Sequence, residues 1–101
     1  MPLKGRVAIV TGAGGGLGRS HALFLARQGA KVVVNDLTEA AAAAVAGEIT
    51  AAGGDALALA ASVTDEAGVQ AMVDTVLDRW GRIDILVNNA GILRDRVIVN
   101  M

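Results

Sequence analysis

Short apolar runs alternate along this chain with longer stretches whose apolar residues recur at helical spacing. Val7 to Val10, set between Arg6 and Thr11, is such a run and predicts a strand. Leu17 to Gln28 follows as a helix, closed by Gly29. Lys31 to Asn35 carries consecutive valines, as a strand buried on both faces would. Thr38 can cap a helix from Glu39 to Ala52, in which Ala42, Val45, Ala46 and Ile49 share one stripe and which Gly53-Gly54 ends. Ala56 to Ala60 is a weaker third strand. The helical period returns in Asp65 to Trp80 through Val69, Met72, Val73, Val76, Leu77 and Trp80, with Thr64 or Ser62 as cap and Gly81 as stop. Ile83 to Val87 is a fourth strand, leading into "NNAG".

The resulting order is βαβαβαβ, with connections too long for hairpins, so the strands should be parallel and joined by right-handed helical crossovers. That is an α/β, Rossmann-like pattern, the first half of a doubly wound domain. Residues 1–101 read as one α/β domain, truncated before a second half. The tail "LRDRVIVNM" reads as a loop or a first helical turn in preference to an edge strand, because a parallel crossover needs more residues than separate it from Val87.

Composition narrows the function. Hydrophobic residues make up 53% of the chain, with one Trp and one Phe, so the core is aliphatic. A net charge of −1 from interspersed residues provides no field for nucleic acid or for a membrane surface. The absence of cysteine excludes disulfides, thiolate metal sites and Cys nucleophiles. "MPLKGR" precedes only four apolar residues, and no stretch approaches a membrane span, so a cytoplasmic protein is expected.

The chemistry concentrates in "VTGAGGGLGRS", where five of the seven residues from Gly12 to Gly18 are glycine. At the end of a strand and the start of a helix, free N–H groups and the positive end of the helix dipole favour an anion. Gly12 can make the tight turn, Gly16 can let the backbone approach a phosphate, and Gly18 can let the helix lie close to the strand. A P-loop fails here, since Ala13 and Arg19 stand where its first Gly and its Lys belong. G-x-G-x-x-G begun at Gly12 fails at Leu17. Asp36, 18 residues after Gly18 and at the end of the next strand, suits an acceptor for an adenine ribose. A carboxylate there repels a 2′-phosphate and Leu37 beside it offers no compensating cation, so NAD is favoured over NADP.

"TGAGGGLG" at Thr11 to Gly18, Asp36 closing "VVVND", and "NNAG" at Asn88 to Gly91 together resemble the short-chain dehydrogenase/reductases. The resemblance implies a Rossmann fold and a nicotinamide dinucleotide, with Gly12, Gly16, Leu17 and Gly18 at the pyrophosphate and Asp36 at the adenosine ribose; Leu37, next to it, is counted among the cofactor-binding residues. It also implies that Val63 touches adenine through its backbone, that Asn89, Ala90 and Gly91 line the cofactor cleft, and that Asn88 steadies the sheet. Ser62 stands where the family usually has Asp. "VVVNDL" and "NNAGILRDR" look most like hydroxyacyl-CoA dehydrogenase units and oxoacyl reductases, which points to an alcohol or carbonyl substrate; an isolated half would leave an unpaired sheet edge and exposed apolar area, which predicts a homo-oligomer, an aggregation-prone monomer or a remainder absent from this sequence. The family's Ser, Tyr and Lys lie in a second half; this chain has no Tyr, and its Lys residues are Lys4 and Lys31. No catalytic residue and no metal ligand is therefore assigned. Two functions stay open: the cofactor-binding portion of an oxidoreductase, or a nucleotide-binding or assembly module without chemistry.

Of the remaining residues, His21 reads as a partly exposed helix position and Trp80 as a packing residue without basic or aromatic neighbours. Arg94, Asp95 and Arg96 are either near substrate or a solvated turn.

Overall fold

A computed structural model describes residues 3–62 and 65–87. The elements run β1 (Val7–Val10), α1 (Gly16–Arg27), β2 (Lys31–Asp36), α2 (Glu39–Ala51), β3 (Asp55–Ala60), α3 (Glu66–Trp80) and β4 (Ile85–Val87). All strand pairs are parallel, in the order β3-β2-β1-β4. The chain steps from β1 outward to β3, then returns to place β4 on the other side of β1. Such a reversal opens a crevice at the carboxyl ends of the two strands beside it.

Successive side chains of a strand point to opposite faces, and here both faces are covered. Val10, Val32 and Val34 pack with Ala22 of α1 and with Ala42, Val45, Ala46 and Ile49 of α2. Val7, Ile9 and Val33 pack on the other face with Met72 and Val76 of α3 and with Ile83. β1 is therefore buried along its whole length, which is why it reads as an unbroken apolar run.

Most boundaries differ from the expected ones by a residue or two. α1 begins at Gly16 and ends at Arg27, β2 reaches Asp36, α2 stops at Ala51 and β3 starts at Asp55. β4 is only three residues long; Ile83 is buried but precedes it. The cap of α3 is neither Ser62 nor Thr64, the latter lying outside the described residues. Asp65 takes the position, its carboxylate accepting from the Ala67 N–H at 3.1 Å, because an acidic side chain there reaches the free amides of the first turn. Trp80 packs beside the α3-side core as expected, yet it does have a basic neighbour: the Arg79 guanidinium lies 5.3 Å from its ring centre.

The amino end of the sheet is fastened by Asp84. Its N–H donates to the Val7 carbonyl at 2.8 Å, and its carboxylate accepts the Val7 N–H at 2.9 Å. Arg82 donates to the same carboxylate at 2.8 and 2.7 Å and Arg6 at 3.5 Å. The Arg82 hydrogen bonds hold the Asp84 carboxyl down at about 2, against the opposing effect of its burial.

Candidate functional site

At the opposite, carboxyl end of the sheet, the backbone turns as soon as β1 ends. Thr11 is fully buried and directs its N–H and its hydroxyl to the Val87 carbonyl, at 3.0 and 3.4 Å. Gly12 then adopts φ +60°, a left-handed conformation that costs an L side chain roughly 1–2 kcal/mol. The Ala13 N–H donates to the Asn35 carbonyl at 2.8 Å, pinning the turn to β2. Gly18 brings α1 down onto this turn: a Cβ there would lie 2.0 Å from the Gly12 carbonyl oxygen and 2.9 Å from the Ala13 Cα. The glycine thus serves close packing, as expected, though against the turn rather than the strand proper.

Beyond the turn the loop is open. Gly15 and Gly16 are exposed, and a Cβ on either would meet nothing within 4 Å. Gly15 is the N-cap of α1 and supplies no side-chain cap, whereas Thr38 and Asp65 cap α2 and α3. α1 also has no acidic residue in its first turn. Its leading amides and positive dipole end therefore face outward beside bare backbone, which fits an approaching anion. Leu17 stands at the rim, 71% exposed.

Asp36 completes this corner. Its carboxylate accepts the Gly14 N–H at 2.9 Å and, through the other oxygen, the Leu37 N–H at 2.7 Å. The Asp36 carbonyl accepts from the Ala61 N–H at 3.0 Å, so the exits of β2 and β3 are joined here. Leu37, also 71% exposed, lies next to it. The fold thus brings Gly12, Gly16, Leu17, Gly18, Asp36 and Leu37 to one corner; Val63, Asn89, Ala90 and Gly91 lie outside the described residues, as do Arg94, Asp95 and Arg96.

Two contributors escaped the sequence reading. Gly14 was one glycine among five, and only its pairing with Asp36 in space distinguishes it. Asn35 is 1% exposed and uses its amide to hold the Leu59 and Ala61 carbonyls at 3.1 and 3.2 Å, steadying the exit of β3. An amide directly following three buried valines was the available signal, since a buried amide must find partners.

His21 is exposed on α1, as expected. Arg19 is tied sideways to Glu48 of α2 by an exposed ion pair, with Nε to carboxylate at 2.9 Å; that bond raises the arginine pKa and lowers the glutamate's. Among the described residues, no three His, Cys, Asp or Glu gather to hold a metal ion, and no helix is long and apolar enough to cross a membrane. A depression of about 730 Å³ lies at the other end of the sheet, between Lys4, Gly29, Lys31, Gly53 and Asp55.

A parallel sheet with a switch in strand order beside a glycine loop defines a Rossmann-type α/β protein. Residues 6–101 match the family model for short chain dehydrogenase, and the chain belongs to that family. It is 55% identical over 104 residues to the peroxisomal multifunctional enzyme type 2 of Drosophila melanogaster, covering 94% of this chain and 17% of that protein. To the 3-oxoacyl-(acyl-carrier-protein) reductase of Synechocystis sp. it is 49% identical over 100 residues, covering 98% of this chain and 40% of the reductase. A solved metagenomic short-chain oxidoreductase in complex with NADP superposes with a TM-score of 0.86 at 42% identity, covering 90% of this chain and 41% of that one. The chain thus spans less than half the length of these relatives. The family binds nicotinamide dinucleotides and small-molecule substrates.

Proposed function

We propose that this chain is the NAD-binding portion of an oxidoreductase that interconverts an alcohol and a ketone, with a 3-hydroxyacyl or 3-oxoacyl thioester as substrate. The observation that carries the reading is the Asp36 carboxylate, held against the glycine loop by the Gly14 N–H at 2.9 Å, so that an anion cradle and a ribose acceptor share one corner. Gly12, Gly16, Leu17 and Gly18 would hold the pyrophosphate, and Asp36 and Leu37 the adenosine ribose. Val63 would present its backbone to adenine, while Asn89, Ala90 and Gly91 would line the cleft toward the nicotinamide.

The nicotinamide, when bound, supplies or accepts the hydride. This chain's residues bind and orient the dinucleotide; the carbonyl also needs a proton donor, and this stretch contains no Tyr. The NAD preference rests on Asp36, whose charge opposes a 2′-phosphate, and on the neutral Leu37 beside it. The structural relative is described with NADP, so the preference is drawn from this chain's own corner. The substrate class is supported by the likeness to the 3-oxoacyl reductase. One dinucleotide-binding domain, a homo-oligomer and a cytoplasmic setting complete the reading; light scattering and microscopy of the tagged protein test the last two, against the peroxisomal name of the D. melanogaster relative.

Binding of NADH by the intact protein, followed by calorimetry, tests the site. Asp36→Ala should weaken it by about 10- to 100-fold, the loss of hydrogen bonds to a charged acceptor. Unchanged NADH binding in that variant would remove Asp36 from the site and the cofactor assignment with it.

A further inference from the structure

We propose that Gly14 is the positioning residue for the Asp36 carboxylate, and that through it the loop sets the preference for a ribose with a free 2′-hydroxyl over a 2′-phosphate. The proposal rests on the reading of Asp36 as the ribose acceptor and adds what holds that acceptor in place.

Asp36 is the last residue of β2, where a half-buried carboxylate on two rotatable bonds would otherwise sample several orientations. Here each of its oxygens has its own backbone donor, Gly14 at 2.9 Å for one and Leu37 at 2.7 Å for the other. One of those donors belongs to the strand exit and the other to the glycine loop, 22 positions away. Both torsions are thereby fixed before any nucleotide arrives. A carboxylate oxygen accepts more than one hydrogen bond, so each keeps capacity for a ribose hydroxyl. The same restraint keeps the negative charge from swinging aside for a 2′-phosphate.

Gly14 is a glycine for steric rather than conformational reasons. Its φ is not in the left-handed region, unlike those of Gly12 and Gly16, so its backbone suits any residue. Its Cβ would lie 2.7 Å from the Asp36 Oδ2 and 2.7 Å from the Ala41 Cβ, both well inside ordinary contact. Ala41 is a poor candidate to yield, since it sits in the first turn of α2 with its N–H held by the Thr38 hydroxyl at 3.3 Å. A side chain at this position therefore displaces the carboxylate. Gly15 and Gly16, one and two residues on, face open space and carry no such constraint.

The test compares NADH and NADPH binding by calorimetry in the intact protein, in Gly14→Ala and in Asp36→Glu. The second variant keeps the charge but moves the carboxylate out of register with the Gly14 N–H, and it needs no change in the loop. Each variant should lose on the order of tenfold in NADH affinity while NADPH changes less than about threefold, so that the ratio between the two collapses. Wild-type NADH affinity in either variant overturns the proposal. So does an equal loss for both nucleotides, which marks a general disturbance of the loop. Failure of the unaltered protein to bind either nucleotide is a separate result, which defeats the cofactor reading itself and this inference with it.

Discussion

A methyl group on Gly18 would sit 2.0 Å from a backbone carbonyl oxygen, and neither neighbour is a flexible side chain that could move away. Gly18→Ala must therefore lift α1 off the turn or unwind its first residues. Overpacking of a rigid contact typically costs 1–3 kcal/mol, and a backbone partner places this site near about 3 kcal/mol. Urea denaturation should show that loss, while Gly47→Ala, on α2 with open space around its Cβ, should not be destabilising by this route. At this scale the sequence was informative about residue types and blind to pairings. Gly12, Gly16 and Gly18 were legible because their spacing maps onto a turn, an exposed left-handed position and a helix contact. The Gly14–Asp36 bond joins residues 22 apart, and no local pattern encodes it.

Among the elements, the apolar periods predicted every strand and helix of the described residues and their order, because each element buries one stripe or both faces. What they missed is where polar groups end an element. Asp65 displaced the expected caps of α3, and Arg82 to Asp84 became a clasp where a longer β4 was expected. Alternation of apolar residues does not distinguish a paired strand residue from one that pairs through its carboxylate. The clasp has a pH signature. The Asp84 carboxyl is lowered from 3.8 to about 2 in the folded chain, so its contribution is complete above the unfolded value and is lost as pH falls from about 4 through 2. The two guanidiniums are about half exposed, at 54% and 45%, so screening reduces that contribution to about 1 kcal/mol. Thermal melts between pH 5 and 2 should show this slope in the parent protein and a flatter one in Asp84→Asn; identical slopes would remove the clasp from the stability of the sheet.

For the molecule as a whole, the two ends of the sheet divide the work. Asp84 and the arginines fasten the amino end, while the carboxyl end gathers open backbone, an uncapped helix start and a fixed carboxylate. The carboxyl end is the one that strand topology marks for a ligand. Val63 and the residues after Val87 lie outside the described structure, so the adenine and nicotinamide ends of the proposed site rest on the family resemblance. The decisive measurement is an amide NMR titration of the isotopically labelled protein with NAD. Shifts centred on Gly12, Gly14 to Gly18, Asp36 and Leu37 are expected, with Lys4, Gly29, Lys31 and Gly53 at the far end unmoved. Shifts centred on that far depression instead, or none at saturating nucleotide, would contradict the assignment of the glycine corner as the dinucleotide site.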